Sequence, residues 1–287
     1  MTKNISIVIP AKNECAGLKK ILPVIQKLYS DLEVIVVDDG STDATLQVCK
    51  DYNVKVISHP YSKGNGAAIK TGARMSEAEI IVFMDADGQH DPEHILKLLI
   101  KIDEGYDMVV GARSPSSQAN LGRCIANFIY NKFSGFMVNH KIDDLTSGFR
   151  AVKATKFKEF MHLYPNGFSY PSTSTMAFFR SGYSVLYIPI EASKRIGSSH
   201  IRLIKDGIRF VLILFKIGTL YSPLKIFFPL SVLCFITGLM HYIYTYLSAG
   251  RFTNMSMLLF LTSLLIFLIG LVSEQITMLL YQKLKDK

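Results

Sequence analysis

The sequence reads Ile80-Ile81-Val82-Phe83-Met84-Asp85-Ala86-Asp87-Gly88-Gln89 where an apolar run ends in two carboxylates and an amide. Five apolar residues of this kind are typical of a buried strand. The acidic turn, residues 85–89, is therefore expected at the carboxyl edge of a sheet, where open α/β folds bind ligands. Hard oxygen ligands suit Mg²⁺ or Mn²⁺ that bridges a substrate diphosphate. We predict a metal site formed by Asp85, Asp87 and Gln89.

Short apolar strands alternate with amphipathic helical patterns from Ile5 to about Gly111. This alternation predicts an α/β domain with a largely parallel sheet and helices on its faces. One helical stripe, in which Leu18, Ile21, Leu22, Ile25 and Leu28 recur at helical spacing, is expected in the core. The predicted strands are Ile5–Ile9, Val34–Val37, Val54–Ile57, Ile80–Met84 and Met108–Val110.

A second acidic strand end occurs in Asp38-Asp39-Gly40-Ser41-Thr42-Asp43. Asp43 is explained as a helix N-cap, whereas capping does not need the adjacent acid Asp39. We expect Asp39 to accept hydrogen bonds from a nucleotide base or ribose. A solvated turn is the alternative for Asp85 and Asp87, but the second acidic edge favours a metal-diphosphate site. A cation there stabilises a diphosphate leaving group, which implies transfer of the group attached to a nucleoside diphosphate.

The glycines of Gly64-Asn65-Gly66-Ala67-Ala68 lack the third glycine of a dinucleotide fingerprint, and the sequence has no Walker A motif. Two interpretations stay open at this point. The glycines loosen the start of a helix, or the helix N-terminus borders the nucleotide donor.

The 287 residues are 49% apolar, and the excess is concentrated after about residue 220. Phe227 to Leu247 and Met257 to Leu280 each have the length of a bilayer span, so we predict two transmembrane helices. Ile5 to Ile9 is too short for a signal-peptide core. Lysines outside the two spans outnumber the one arginine between them, which predicts cytoplasmic termini and a cytoplasmic catalytic domain.

The net charge of +9 is not accompanied by a nucleic-acid recognition motif, and much of it lies between Lys194 and Lys225. Anionic lipid headgroups explain that position better. We predict that the amphipathic stretch His200 to Tyr221 lies in the membrane interface, with packing on protein as the alternative. The polar loop Ser114 to Asn120 is a candidate lid. The four cysteines are scattered, which favours a reducing compartment.

Four ordered motifs resemble those of family 2 glycosyltransferases with a GT-A fold. More closely, they are similar to the polyprenyl-phosphate glycosyltransferases of the dolichol-phosphate mannose synthase type. The similarity runs from Ile5 to about His200, and the two spans resemble membrane-anchored bacterial and archaeal members. The motifs are Ile7-Val8-Ile9-Pro10-Ala11-Lys12-Asn13-Glu14, Val36-Val37-Asp38-Asp39-Gly40-Ser41-Thr42-Asp43, Met84-Asp85-Ala86-Asp87-Gly88-Gln89-His90 and Asp144-Leu145-Thr146-Ser147-Gly148-Phe149-Arg150.

The resemblance implies a cytoplasmic GT-A catalytic domain over residues 1–198, a nucleotide-diphospho-sugar transferase fold with a mainly parallel sheet and flanking helices. An amphipathic juxtamembrane segment, 199–222, and a transmembrane hairpin, 223–287, with spans at about 227–247 and 257–280, would follow. Asp85, Asp87 and Gln89 would hold the metal, and Asp87 would also face the sugar. The nucleotide pocket would be lined by Pro10, Ala11, Asn13, Glu14 and Asp39.

The same resemblance implies a set of basic residues around the two phosphates. Arg113 would face the donor phosphates, and Arg195 with Ser198 would close over the donor diphosphate. The acceptor phosphate would be met by Arg123 and by Arg150, which comes with Ser147 in its whole motif and suits a bidentate grip. A surface charge is the alternative for Arg113 and Arg123.

The implied reaction is metal-dependent, inverting transfer of a hexose from a GDP- or UDP-linked sugar to undecaprenyl or dolichyl phosphate. A polyprenyl phosphate has a second pKa near about 6, so its oxygen attacks without a catalytic base. Asp87, Arg123 and Arg150 are then the expected catalytic residues. A homo-oligomer is compatible with the sequence, and nucleic acid is not an expected partner.

Two alternatives differ in class. A membrane-bound family 2 glycosyltransferase that elongates a glycan or glycolipid usually carries a Gln-x-x-Arg-Trp motif, and this chain has no tryptophan. A membrane protein that only binds a partner would not need every acidic and basic motif. Glu274 lies inside the second span, where a carboxylate is energetically costly and needs a partner. Three interpretations stay open: a role in helix packing, a position near the cytoplasmic interface, or a direct role in lipid binding.

Overall fold

The computed structural model describes residues 4–113, 121–167, 169–191, 212, 215–216 and 218–282. The expected lid at 114–120 and nearly all of the segment 199–217 lie outside the described residues. The chain divides into two compact units, residues 1–135 with 140–200 and residues 136–139 with 201–287. The domain bounds at 198 and 222 stay predictions.

The described part of the first unit contains a seven-stranded sheet in the order β3-β2-β1-β4-β6-β5-β7. Strand β6 pairs antiparallel with both β4 and β5, and the other neighbouring strands are parallel. The expected α/β architecture with a mainly parallel sheet is confirmed. The strands are β1 Ile5–Ala11, β2 Glu33–Asp38, β3 Lys55–Ser58, β4 Ile80–Phe83, β5 Met108–Arg113, β6 Arg150–Lys153 and β7 Val185–Ile190.

Helices flank this sheet, and the apolar stripes that the sequence predicts face it. Helix α1 buries Leu18, Ile21, Leu22 and Ile25, as expected. Leu28 was expected in the core but is 44% exposed, since it is the last residue of that helix. The helices of this unit begin and end as α1 Cys15–Leu28, α2 Thr45–Asp51, α3 Asn65–Met75, α4 His94–Asp103, α5 Leu121–Val138, α6 Ala154–Glu159 and α7 Tyr170–Arg180, where α5 extends into the second unit.

The second unit contains two long apolar helices, α8 Leu224–Ala249 and α9 Asn254–Gln282. Both have the length and composition of membrane spans. The two helices pack closely at Gly238, where an added Cβ would lie only 3.0 Å from Leu259 Cβ. Glu274 Oε2 accepts a hydrogen bond from the Leu224 N–H at 3.3 Å, so this carboxylate satisfies a donor in the first turn of α8. This hydrogen bond joins α9 to the start of α8.

Candidate functional site

A cleft with a volume of about 320 Å³ lies where β1, β2 and β4 end at the same edge of the sheet. This is the edge at which α/β folds present their ligand sites. The cleft brings together six of the residues predicted to bind the donor or metal and adds residues from the start of α3. Its lining consists of Pro10, Ala11, Lys12, Glu14, Asp39, Ser62, Gly64, Asn65, Ala68, Asp85, Ala86 and Asp87.

The backbone of the acidic turn is fixed by contact with helix α1. Gly88 has φ +68°, a left-handed conformation that favours glycine. Lys20 Nζ donates a hydrogen bond to the Gly88 carbonyl at 2.9 Å. A Cβ on Gly17 would lie only 1.9 Å from the Ala86 carbonyl oxygen. The turn is therefore held from behind by α1, and the two carboxylates project from a supported backbone.

Asp85 and Asp87 are both half-buried and line the same cleft. Two carboxylates that face one space fit Mg²⁺ or Mn²⁺, with coordination positions left for diphosphate oxygens. Within the described residues, no group of three or more His, Cys, Asp or Glu residues forms a closed metal site. The Gln89 N–H donates to Asp87 Oδ1 at 3.1 Å, and Gln89 lies outside the cleft lining. Its role as a metal ligand stays a prediction.

Asp39 is buried at the end of β2 and accepts four hydrogen bonds from the protein. The donors to Oδ1 are His59 Nδ1 at 2.7 Å and the Lys63 N–H at 2.8 Å. Those to Oδ2 are Ser62 Oγ and the Gly64 N–H, both at 2.8 Å. Burial alone raises the pKa of Asp39, but these hydrogen bonds outweigh it and lower the pKa. Asp39 therefore holds the loop that leads into α3.

The glycines at the start of α3 serve a close approach to the segment 165–167. A Cβ on Gly66 would lie 2.0 Å from the Pro165 carbonyl oxygen. The Gly66 N–H donates to the Gly167 carbonyl at 3.2 Å, and the Ala67 N–H donates to Asn166 at 2.9 Å. Gly64 and Asn65 still border the cleft. The first-turn amides of residues 66 and 67 are already engaged, and a nucleotide donor beside this helix N-terminus stays a prediction.

Asn13 lies beside the cleft and connects the ends of β1 and β2. It has φ +56°, and its Oδ1 accepts the Thr42 N–H at 2.8 Å. Asn13 also lines a second cavity, of about 340 Å³. Glu14 and Asp87 line both this cavity and the cleft. Asp43 Oδ1 accepts the Thr45 N–H at 3.0 Å. The N-cap residue of α2 is Ala44, so Asp43, which was expected to be the N-cap, precedes it by one residue.

Arg113, at the end of β5, forms a bidentate ion pair with Asp144. Its Nε donates to Asp144 Oδ2 at 2.8 Å, and one terminal nitrogen donates to Oδ1 at 3.1 Å and to Thr146 Oγ1 at 2.7 Å. Burial opposes the charge on both groups, but their pairing lowers the pKa of Asp144 and raises that of Arg113. The guanidinium that was expected to face the donor phosphates is occupied by a carboxylate.

The expected acceptor residues Ser147 and Arg150 are fully buried. Ser147 Oγ donates to the Gly111 carbonyl at 2.6 Å. The Arg150 guanidinium donates to the Pro171 carbonyl at 2.9 Å, to Ser174 Oγ at 2.8 Å and to the Ser147 carbonyl. These positions do not fit the direct phosphate contact expected from the sequence, because the charged group points into the base of α7 and away from solvent. Both residues support the site from within.

Gly148 explains how this buried segment meets the acidic turn. A Cβ at Gly148 would lie 2.4 Å from Asp85 Oδ2, so only glycine lets the carboxylate occupy its position. Tyr170, at the start of α7, donates to the Gly148 carbonyl at 3.1 Å. Arg150 and Tyr170 thus fix the backbone against which Asp85 rests.

Four residues near the cleft were not singled out by the sequence interpretation. Lys12 lines the cleft, Lys20 supports the acidic turn and His59 binds Asp39. His90 stacks on Phe149 with ring centroids 5.1 Å apart, and burial lowers its pKa to about 4. Lys12 and His90 lie next to acidic motifs in the sequence, so their position could have indicated that they belong to the site. Nothing in the sequence around Lys20 or His59 indicates such a role. Arg195, Ser198 and the Arg123 side chain lie outside the described residues.

Proteins similar in sequence to this chain cover both of its units. Residues 222–279 match the GtrB C-terminal hairpin. CsbB of Bacillus subtilis is 29% identical over 98% of this chain and 89% of its own length. Polyprenol monophosphomannose synthase of Mycolicibacterium smegmatis is 28% identical over 68% of this chain and 79% of its own length. The expected resemblance to polyprenyl-phosphate sugar synthases is confirmed.

Solved structures support the same fold. Glucosyl-3-phosphoglycerate synthase from Mycobacterium tuberculosis, in complex with Mn²⁺ and uridine-diphosphate-glucose, has a TM-score of 0.60 at 21% identity. The similarity covers 76% of this chain and 78% of that one. Residues 6–161 of the sequence, more than half of it, match the family described as Glycosyl transferase family 2. The chain belongs to glycosyl transferase family 2 and is a glycosyltransferase.

Proposed function

We propose that this protein transfers a hexose from a nucleoside-diphosphate sugar to a membrane polyprenyl phosphate, with inversion at the sugar carbon. The observation that carries the proposal is the position of Asp85 and Asp87 in one cleft with Pro10, Ala11 and Asp39. Polyprenol monophosphomannose synthase is among the relatives, which supports a lipid phosphate as acceptor. The match of residues 222–279 to a family hairpin supports a membrane location.

The cleft would hold the donor by its diphosphate and nucleoside. Asp85 and Asp87 would bind Mg²⁺ or Mn²⁺, whose charge would stabilise the nucleoside diphosphate as it leaves. A solved relative that contains Mn²⁺ and a UDP-sugar supports this assignment. Lys12 adds a cation to the cleft lining, and Ser62 and Asn65 add hydrogen-bonding groups. Arg195 and Ser198 complete the proposed donor site.

Catalysis would rest on position and charge instead of a catalytic base. A phosphate monoester with a second pKa near about 6 is largely dianionic at neutral pH, so its oxygen is already a nucleophile. The protein must then orient that oxygen toward the sugar carbon opposite the diphosphate. Arg123 is the proposed cation for the acceptor. Arg150 would act indirectly, since its guanidinium is buried among main-chain carbonyls and hydroxyls.

The two apolar helices would retain the enzyme at the bilayer that contains its acceptor. The lysines outside the spans would place the cytoplasmic side at both termini, by the positive-inside rule. The catalytic unit would then take its sugar donor from the cytoplasm. Both inferences follow from charge and length, and a reporter fused to either terminus would test the orientation.

Incubation of membranes that contain the full chain with labelled GDP-mannose, UDP-glucose and UDP-N-acetylglucosamine tests the proposal. We expect one of them to label an extractable polyprenyl-phosphate lipid in the presence of Mn²⁺ or Mg²⁺. Asp87→Asn should lower the labelling rate about 100-fold or more, because a group that acts on the leaving charge is lost. Its melting temperature should change little, since the side chain is half-exposed.

Asp91→Asn is the matched control, because Asp91 lies four residues from Asp87, is exposed, and accepts a hydrogen bond from the Glu93 N–H at 3.0 Å. It should retain the wild-type rate. Transfer by the Asp87→Asn protein at the wild-type rate would overturn the metal-diphosphate assignment. Transfer only to a glycan primer would favour the elongating alternative.

A further inference from the structure

His59 connects three elements beside the cleft. It follows directly after β3, is 7% exposed and donates its backbone N–H to the Asp38 carbonyl at 2.8 Å. Its Nδ1 lies 2.7 Å from Asp39 Oδ1, and its Nε2 lies 2.9 Å from Thr71 Oγ1 on α3. Because a carboxylate only accepts, Nδ1 is assigned the proton. In the neutral ring, Nε2 then accepts from the Thr71 hydroxyl.

The hydrogen bonds of Asp39 leave little capacity for a ligand. A carboxylate offers about four lone-pair sites, and His59, Ser62, Lys63 and Gly64 donate to all of them. A base or ribose could bind Asp39 only by displacing one of these donors. The segment 62–64, which Asp39 holds, itself contributes Ser62 and Gly64 to the cleft lining.

We infer that His59 is a positioning residue for nucleotide recognition, which acts through Asp39 on the cleft-lining segment 62–64. This inference rests on the proposed function for its ligand, a nucleoside diphosphate. The His59 ring fixes one oxygen of Asp39 and is itself fixed by Thr71. The carboxylate then presents the 62–64 backbone in one conformation before the donor arrives. Preorganisation of this kind increases affinity, because less ordering remains to occur on binding.

Two amide substitutions separate the two ring contacts. In His59→Asn the side-chain NH₂ lies near the position of Nδ1 and retains the donor to Asp39. In His59→Gln the amide reaches the position of Nε2, so the contact with Thr71 is retained and the bond to Asp39 is lost. A purely space-filling role would make the two variants similar.

The first measurement is amide hydrogen exchange at Lys63 and Gly64 in the full chain in detergent, without ligand. We expect His59→Gln to accelerate exchange about tenfold, as for the loss of one hydrogen bond, and His59→Asn to stay within about threefold of wild type. Exchange in His59→Gln at the wild-type rate would overturn the inference. Equal acceleration in both variants would also overturn it.

The second measurement is the affinity for UDP and for GDP in the presence of Mn²⁺. The nucleotide that binds the wild type should bind His59→Gln about tenfold more weakly, with His59→Asn close to wild type. Thr71→Val should weaken binding in the same direction but less, and it carries the test if His59→Gln does not fold. Wild-type affinity in both His59→Gln and Thr71→Val would overturn the inference. If the wild type binds neither nucleotide, the proposed function fails, while the exchange rates still decide the role of His59.

Discussion

The acidic turn at residues 85–89 and the segment Asp144 to Arg150 both carry charged side chains, but they occupy different environments. Asp85 and Asp87 are half-buried and line the cleft. Arg150 has no exposed surface, and Asp144 is 4% exposed and bound to Arg113. One group of charges faces the cleft, and the other organises the protein beneath it.

This difference concerns how charge is compensated. A buried guanidinium needs several acceptors, and Arg150 obtains them from carbonyls and hydroxyls at the base of α7. The carboxylates of the acidic turn remain beside a cleft, where a cation and a diphosphate would compensate them. Substitutions of the buried charges, Arg150 and Asp144, should therefore change stability. Substitutions of the carboxylates of the acidic turn should change activity.

Arg150→Met is expected to have the largest effect. It removes the donors to the Pro171 and Ser147 carbonyls and to two hydroxyls, which should lower the free energy of unfolding by about 3 kcal/mol. Thermal unfolding of the full chain in detergent measures it. A variant that melts like wild type but no longer transfers sugar would break the comparison and favour direct contact with the acceptor.

Gly148→Ala should reduce activity about 100-fold, because the new Cβ would displace the Asp85 carboxylate that lies 2.4 Å from it. Gly167→Ala is the control, since a Cβ there meets no atom within 4 Å. Initial rates of sugar transfer at saturating donor give the comparison. Equal rates for the two variants would show that the buried segment does not position Asp85.

Asp144→Asn should destabilise the protein by about 2 kcal/mol near neutral pH through loss of its charged bonds with Arg113. The folded pKa of Asp144 is lowered from 3.8, so its stabilisation is present above that value and is lost as pH falls through the folded pKa. Melting curves of variant and wild type should therefore converge at acidic pH. A difference that stays constant from pH 7 to about pH 3 would contradict the ion pair.

Lys20→Met should have the smallest effect of these variants, because it removes one hydrogen bond, to the Gly88 carbonyl. We expect about a fivefold rise in the Mn²⁺ concentration needed for half-maximal rate, with melting little changed. Lys27→Met, on an exposed position of the same helix, is the control. No change in the metal requirement would mean that the acidic turn does not depend on the hydrogen bond from Lys20.

The sequence predicts those features that depend on local pattern. Alternation of strands and helices gives the mainly parallel sheet, and the length of the apolar runs gives the two C-terminal helices. Acidic residues after strands predict the cleft edge, because neighbouring parallel strands end together. Asp39, Asp85 and Asp87 meet there for that reason.

Features that depend on distant partners could not be read in the same way. Strand β6 has only four residues and begins with a charge, so no strand pattern announces it. The burial of Arg150 depends on acceptors more than twenty residues further along the chain, such as Ser174. Arg113 likewise looks like a phosphate ligand until Asp144 is placed beside it. A motif identifies the residues at a candidate site, and only the fold separates those that face the cleft from those buried beneath it.

The antiparallel strand β6 has a consequence for the order in which the protein can assemble. It separates β4 from β5, and Arg150 pairs with Phe83 on one side and with Val110 on the other. A nascent chain that ends before residue 150 therefore contains the neighbouring strands β3, β2, β1 and β4 and an unpaired β5, without β6 and β7. All seven strands are complete by Ile190, before the ribosome reaches Leu224 and the first apolar helix. The sheet can thus close before the first apolar helix is synthesised.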